Sequence, residues 1–303
     1  MKFHLIYDSK KTPSSREANT VGLLRAACVK QSIECVLHDV QQMDLFELPV
    51  LDAHDLLYRS AVSNKAVDAQ RRMITPECTS FHTDWSFVFN GEAPSYFLHQ
   101  ARGLPVIPSF PGIPESEKEL HQCVELLGPF PLIVKVTGNS MGVGVMRVDS
   151  LESMRSVLDY LKSLKVDVLI RKYIEHEYYV RSVVVGNRVV ASHAAFAAAE
   201  EFRTNAGDDT QQKREVRVLS DEQQAIVVES VRVLGIEAGG VDLLFDKDNK
   251  PFIAEVNFPN NFTITQSVTG VDIASEMVSY LVNKAQMKLG QINFASKLAI
   301  LTK

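Results

Sequence analysis

The sequence predicts an α/β lobe followed by two α+β lobes, and three features carry that expectation. A β-α-β pattern opens the chain, mixed strands and helices follow a Pro- and Gly-rich stretch, and antiparallel hairpins fill much of the remainder. At 303 residues the chain exceeds what one compact core usually holds. The expected division is an N-terminal doubly wound lobe at 1–90, a small central lobe at 91–165 and a larger antiparallel lobe at 166–303.

Each element has its own signal. Residues 2–7 (KFHLIY) read as a buried strand, and Ser14 or Ser15 is placed to cap a helix running to Lys30 through Val21, Leu24 and Cys28. Glu34 to Leu37 fits a second strand, and Asn90 to Pro114 reads as a linker because Pro and Gly punctuate it. Glu115 to Leu127 reads as a helix closed by Gly128. Strands follow at Pro131–Thr137 and Val143–Val148. Ser150 then caps a helix with Leu151, Met154, Leu158 and Leu161 on one face. Further strands fit 167–172, 178–185 and 188–193, the last two joined by a turn at Gly186-Asn187. The stretch 197–215 is crowded with charge, lacks periodicity and reads as a long mobile loop. Ser220 and Gln223 form a capping box for a helix ending at Gly235. A hairpin at 240–257 and a helix from Asp272 to Lys288 complete the order.

Composition narrows the function. A net charge of -5 without any Lys/Arg block argues against a nucleic-acid footprint. No window approaches the roughly 18 apolar residues of a membrane span, and the start lacks the apolar run of a signal peptide. Cys28, Cys35, Cys78 and Cys123 form no CxxC pair, so reduced thiols in a cytoplasmic protein are the plain expectation.

The hairpin Gly239–Asn257 carries the chemistry. Symmetric pairing about Asp248-Asn249 sets Asp242 across from Glu255, their Cβ atoms about 5 Å apart on one face. Asn257, two residues on, shares that face. Facing carboxylates repel unless a cation lies between them or one is protonated, and two carboxylates with an amide oxygen are hard ligands suited to magnesium. The alternatives are that one carboxylate pairs with an arginine or that both face solvent. Lys135 interrupts the apolar strand Pro131–Val136, and a buried lysine calls for an anion. Gly138, Gly142 and Gly144 follow, able to bring backbone N–H groups close to phosphate oxygens. A plain hairpin turn is the alternative for that loop taken alone.

Together these segments resemble the ATP-grasp superfamily, in particular its RimK and LysX branch of amino-acid and peptide ligases. The matching stretches are IVKVTGNSMGVGV (133–145), LIRKYIEHEYYVRSVVVGNRVVA (169–191), EFRTN (201–205), GGVDLLFDKDNKPFIAEVN (239–257) and TGVDIASEM (269–277). The resemblance implies the ATP-grasp fold, with ATP held between the central and C-terminal lobes. It implies that Lys135 contacts the phosphates and that Asn139, Ser140, Met141, Gly142 and Gly144 cover them. The hinge Arg171, Lys172, Tyr173 and Ile174 would pair with the adenine edge mainly through backbone groups, with Glu177 meeting the ribose; the plain alternative for the Arg171 side chain is that it points to water. Asp242, Glu255 and Asn257 match ligands of magnesium, or of manganese in its place. Lys135, Arg181, Arg203 and Asn205 match positions that approach phosphate or the acyl group.

The sequence departs from the family at three places: Gly91–Phe97 lacks a lysine, with Glu92 near the expected position, Tyr179 stands where an Asp is usual, and Phe258-Pro259-Asn260-Asn261 replaces a Pro-Gly. The implied activity joins a small-molecule or peptide carboxylate to an amine through an acyl-phosphate, with the 197–215 loop closing over it. The rival readings are a small-molecule kinase and a non-catalytic ATP-binding protein. Dimerisation is common among such ligases.

Overall fold

Three sheets organise the chain in a computed structural model that describes residues 1–11, 16–89, 95–137, 142–196 and 212–301. The first sheet is parallel, ordered β2-β1-β3-β4, from β1 (Lys2–Tyr7), β2 (Glu34–Asp39), β3 (Asp55–Arg59) and β4 (Thr79–Ser80). Alternation along β1 sends Phe3 and Leu5 to Leu24, Ala27 and Cys28 of α1 (Arg16–Lys30). Ile6 turns to the opposite face, against Ala66, Ala69 and Met73 of α2 (Asn64–Met73). Helices on both faces make this the doubly wound lobe that the opening pattern predicts.

The central sheet is antiparallel, ordered β5-β8-β6-β7, from β5 (Ser109–Pro111), β6 (Leu132–Val136), β7 (Val145–Val148) and β8 (Val168–Lys172). Its pairing therefore runs on to Lys172. Helices α3 (Ser95–Ala101), α4 (Glu117–Leu127) and α5 (Leu151–Ser163) fall in this part of the chain. Leu120 and Cys123 of α4 and Met154 and Leu158 of α5 pack on Leu132, Val134 and Ile170. That burial commits one face of the sheet and leaves the face bearing Lys135 and Arg171 for the next lobe. Ser116 and Ser150 cap α4 and α5 by accepting from backbone N–H groups.

The third sheet, ordered β11-β10-β9-β12-β13, joins β9 (Tyr178–Val185), β10 (Arg188–Phe196), β11 (Arg214–Val216), β12 (Ala238–Phe245) and β13 (Pro251–Asn257). Helix α6 (Asp221–Arg232), opened by the Ser220/Gln223 capping box, covers one face: Val227 and Val231 meet Val180, Val184, Val241 and Leu243. Helices α7 (Thr263–Thr269) and α8 (Ile273–Leu301) follow. Helix α8 returns to α1, with Ala274, Met277, Val278 and Leu281 sharing a core with Leu24 and Cys28.

Two elements differ from expectation. Residues 214 and 215, read as the end of a mobile loop, form an edge strand with Val216, because β10 offers an unpaired edge that Arg214–Val216 fill. Helix α8 runs past Lys288 to Leu301, since one interior glycine, Gly290, costs only about 1 kcal/mol among good helix formers. No described helix is long and apolar enough to cross a membrane. All four cysteines are free.

Candidate active site

The face of the third sheet turned away from α6 is apolar at one end and charged at the other. Tyr179, Ala195 and Leu244, in register across β10, β9 and β12, make an apolar patch with Ile107 and Ile174. Two residues further along the same face, His193, Arg181, Asp242 and Glu255 lie side by side on β10, β9, β12 and β13. Asn257 pairs with Gly240 on that face. Such a surface suits an apolar ring at one end and an anion or a metal at the other.

A β-bulge in each hairpin sets this row. In β12–β13 the pairing shifts between Asp242 and Leu243, leaving Ala254 as the extra residue. Next to the turn, Phe245 faces Pro251, Leu244 faces Phe252 and Leu243 faces Ile253. Continued without the bulge, that register would put Ala254 opposite Asp242 and turn Glu255 into the core under α6. In β9–β10 the shift falls between Val189 and Ala191, and Val190 is extra. Without it Ser192, not His193, would face Arg181.

The repulsion anticipated between the two carboxylates is met by side-chain cations. Asp242, 2 % exposed, receives both forks of Arg181: Nε donates to Oδ1, and Nη2 to Oδ2 at 2.7 Å. Burial pushes the Asp242 carboxyl up against the pull of Arg181, while Asp242 holds the proton on the Arg181 guanidinium despite burial. Lys135 reaches across from the central sheet to place Nζ 3.6 Å from Oε2 of Glu255, a half-exposed pair. His193 is buried, with Nδ1 3.1 Å from Thr265 Oγ1. Burial, then Arg181 and Arg214, pushes it down to about 4, so it is neutral near pH 7.

The implied hinge is divided by the strand order. β8 is interior, so Arg171 is paired on both sides, with Ser109 and Ile133, and the Lys172 N–H donates to Pro108 at 3.0 Å. Tyr173 and Ile174 lie beyond these pairings, where the apolar patch begins. The side chain of Arg171 does not take the water-facing alternative: Nε donates to Ser109 Oγ at 3.0 Å and Nη1 to the Ala254 carbonyl at 2.9 Å. Lys172 and Glu177 are exposed. Gly142 and Gly144 have φ of 74° and 77°, and Gly144 returns the chain by accepting from Val136 N at 2.9 Å. Asn139, Ser140, Met141, Arg203 and Asn205 lie outside the described residues.

Sequence reasoning missed His193 and Asn260. The bulge at Val190 hid the first, since turn symmetry alone assigns Ser192 to that place. Asn260 is 3 % exposed, and its Oδ1 would sit 2.8 Å from a Cβ on Gly240. Only a glycine allows that approach.

The donor set fits magnesium. Glu255, Asp242 and Asn257 supply hard oxygens from one face, and Asp242 keeps lone pairs beyond those given to Arg181. Among the described residues no three His, Cys, Asp or Glu side chains converge to hold a metal by themselves.

A model of the RimK-like ATP-grasp domain matches residues 103–281, more than half of the chain. A Klebsiella pneumoniae protein named probable alpha-L-glutamate ligase is 32% identical over 179 residues, 57% of this chain and 58% of its own length. The chain thus covers less than two thirds of that relative. The ATP-grasp ligase PsnB, solved with a phosphomimetic variant of its minimal precursor, Mg and ADP, superposes with a TM-score of 0.71 at 13% identity over 93% of this chain and 98% of its own. D-alanine–D-alanine ligase from Bacillus anthracis, solved with ATP, gives 0.69 at 17% identity over 96% and 99%. At those identities the two structures establish a shared fold.

Proposed function

The chain belongs to the RimK-like ATP-grasp family, and from that premise we propose that it joins a carboxylate to an amine through an acyl-phosphate, releasing ADP and phosphate. One observation carries the reading. Two carboxylates from neighbouring strands, Asp242 and Glu255, share a face with Arg181 and meet Lys135 from the facing lobe, beside an apolar patch.

Each residue has a role that follows from where it sits. The patch of Ile107, Ile174, Tyr179 and Leu244 takes the adenine ring, with Tyr173 and Ile174 offering backbone groups to its edge. Lys135 exchanges Glu255 for a phosphate oxygen when the nucleotide arrives. Glu255, thereby released, would be the main residue to hold the metal, with Asp242, fixed by Arg181, beside it. Asn257 completes the protein's oxygens. Magnesium, when bound, supplies charge neutralisation on the terminal phosphates. Alignment and charge neutralisation are most of what phosphoryl transfer asks of a protein. The acid's carboxylate attacks the γ-phosphorus, the β–γ bridging bond breaks and ADP leaves. The amine then displaces phosphate from the acyl carbon. Arg203 and Asn205 are assigned to the acyl end through the family resemblance. The relatives' name makes glutamate the first substrate to try.

The test is a trapping assay: protein, ATP, magnesium, hydroxylamine, and a panel of amino acids and short peptides that includes glutamate. An acid-dependent hydroxamate formed with equimolar ADP is expected. Tight ATP binding with no hydroxamate from any acid would count against a ligase.

A further inference from the structure

β13 is the outermost strand of its sheet, yet its free edge is not left to solvent. The Ile253 N–H donates to the Pro105 carbonyl at 2.7 Å, and Val106 forms a parallel bridge with Ile253. One residue on, at the bulge, the ladder is interrupted and the Ala254 carbonyl needs another donor. Arg171 supplies it from the central sheet, with Nη1 at 2.9 Å. The other side of the fork is anchored: Nε donates to Ser109 Oγ at 3.0 Å, and Ser109 Oγ donates to the Ile107 carbonyl at 2.8 Å. A chain of hydrogen bonds thus runs from the inter-lobe segment through β8 to the bulge.

We propose that Arg171 is a positioning residue that fixes Glu255 by pinning the Ala254 bulge to the central lobe. The inference builds on the reading of Glu255 as a metal ligand. The bulge turns Glu255 onto the site face, so whatever holds the bulge sets where that carboxylate points. Arg171 suits the task because a guanidinium donates in two fixed directions at once, which an ammonium on a flexible stem does not. It makes no ion pair within 4.0 Å among the described residues, and burial pushes it down to about 10. Glu255 pulls on this charge from beyond 4.0 Å, so the hydrogen bonds of the guanidinium go to Ser109 and the bulge carbonyl.

The first experiment needs neither nucleotide nor metal. Hydrogen exchange by mass spectrometry on the full chain compares wild type with Arg171→Met and Arg171→Lys. At least tenfold faster exchange across 252–257 in Arg171→Met is expected, a smaller change in Arg171→Lys, and none across 188–196. Unchanged exchange at 252–257 overturns the proposal, and so does equal acceleration of both segments, which would mark a general folding role. The second experiment measures the magnesium concentration for half-maximal ATP binding, alone and in a Glu255→Gln background. Arg171→Met should raise it about tenfold in the wild-type background and leave it unchanged in Glu255→Gln. An effect of equal size in both backgrounds contradicts action through Glu255. Absence of magnesium-dependent ATP binding in the wild type sinks the functional reading instead, and the exchange result still decides whether Arg171 holds the bulge.

Discussion

The β9–β10 and β12–β13 hairpins solve one problem in the same way but are not equally readable. Each inserts one residue, Val190 or Ala254, and each insertion brings a polar side chain from the core face to the site face. In β12–β13 two offsets cancel. The turn centres on Asp248 rather than between Asp248 and Asn249, and the bulge restores the lost residue, so symmetric pairing still lands Asp242 on Glu255. In β9–β10 the turn centres where expected and the bulge alone shifts the register, replacing Ser192 by His193 opposite Arg181. Register at the far end of a hairpin is thus set by its bulges as much as by its turn.

The two carboxylates of β12–β13 are also held differently, and the largest expected effect tests that. Arg181→Met strands Asp242 in the interior and should cost about 3–5 kcal/mol in chemical denaturation. Lys135→Met removes only a half-exposed partner of Glu255 and should cost at most about 1 kcal/mol. It should weaken ATP binding all the same. Equal costs for the two would remove the distinction between a buried structural pair and an exchangeable one.

Next in size is the acid limb that His193 contributes. Its folded value, pushed down to about 4, lies below the usual 6.5, so between those values the unfolded chain binds the extra proton. The stability is therefore present above pH 6.5 and is lost as pH falls towards 4. His193→Gln should retain on the order of 2 kcal/mol more at pH 4 than the wild type, relative to each protein at pH 7. Parallel pH profiles for the two proteins would refute this.

The smallest effect concerns Gly240. A Cβ there meets Asn260 Oδ1 at 2.8 Å, so Gly240→Ala should cost about 1–3 kcal/mol. Adding Asn260→Ala should recover much of it, since the clash comes from one side chain. A double variant no more stable than Gly240→Ala would place the strain elsewhere.

What the sequence made legible follows the physics of each signal. Helices announced by Ser150 and Ser220 stand where those caps place them, because a cap acts on its own next three residues. The facing of Asp242 and Glu255 was legible because the hairpin is local and its two offsets, in the turn and at the bulge, cancel. Three things were not. β11 and the edge contacts of β13 depend on distant partners, which no window of sequence contains. The inter-lobe role of Arg171 depends on the Ala254 bulge, itself invisible to alternation. Tyr179, a departure from the family pattern, falls in the apolar patch, a placement that register across β9 and β12 decides.

The most direct measurement is calorimetric titration of ATP into wild type and Glu255→Gln, each with magnesium and with chelator. Wild type should take up one ATP tightly only with magnesium, and Glu255→Gln should need at least tenfold more magnesium for the same uptake while keeping its fold. Magnesium-dependent uptake of equal strength in both proteins would contradict the assignment of Glu255, and with it the metal-centred site.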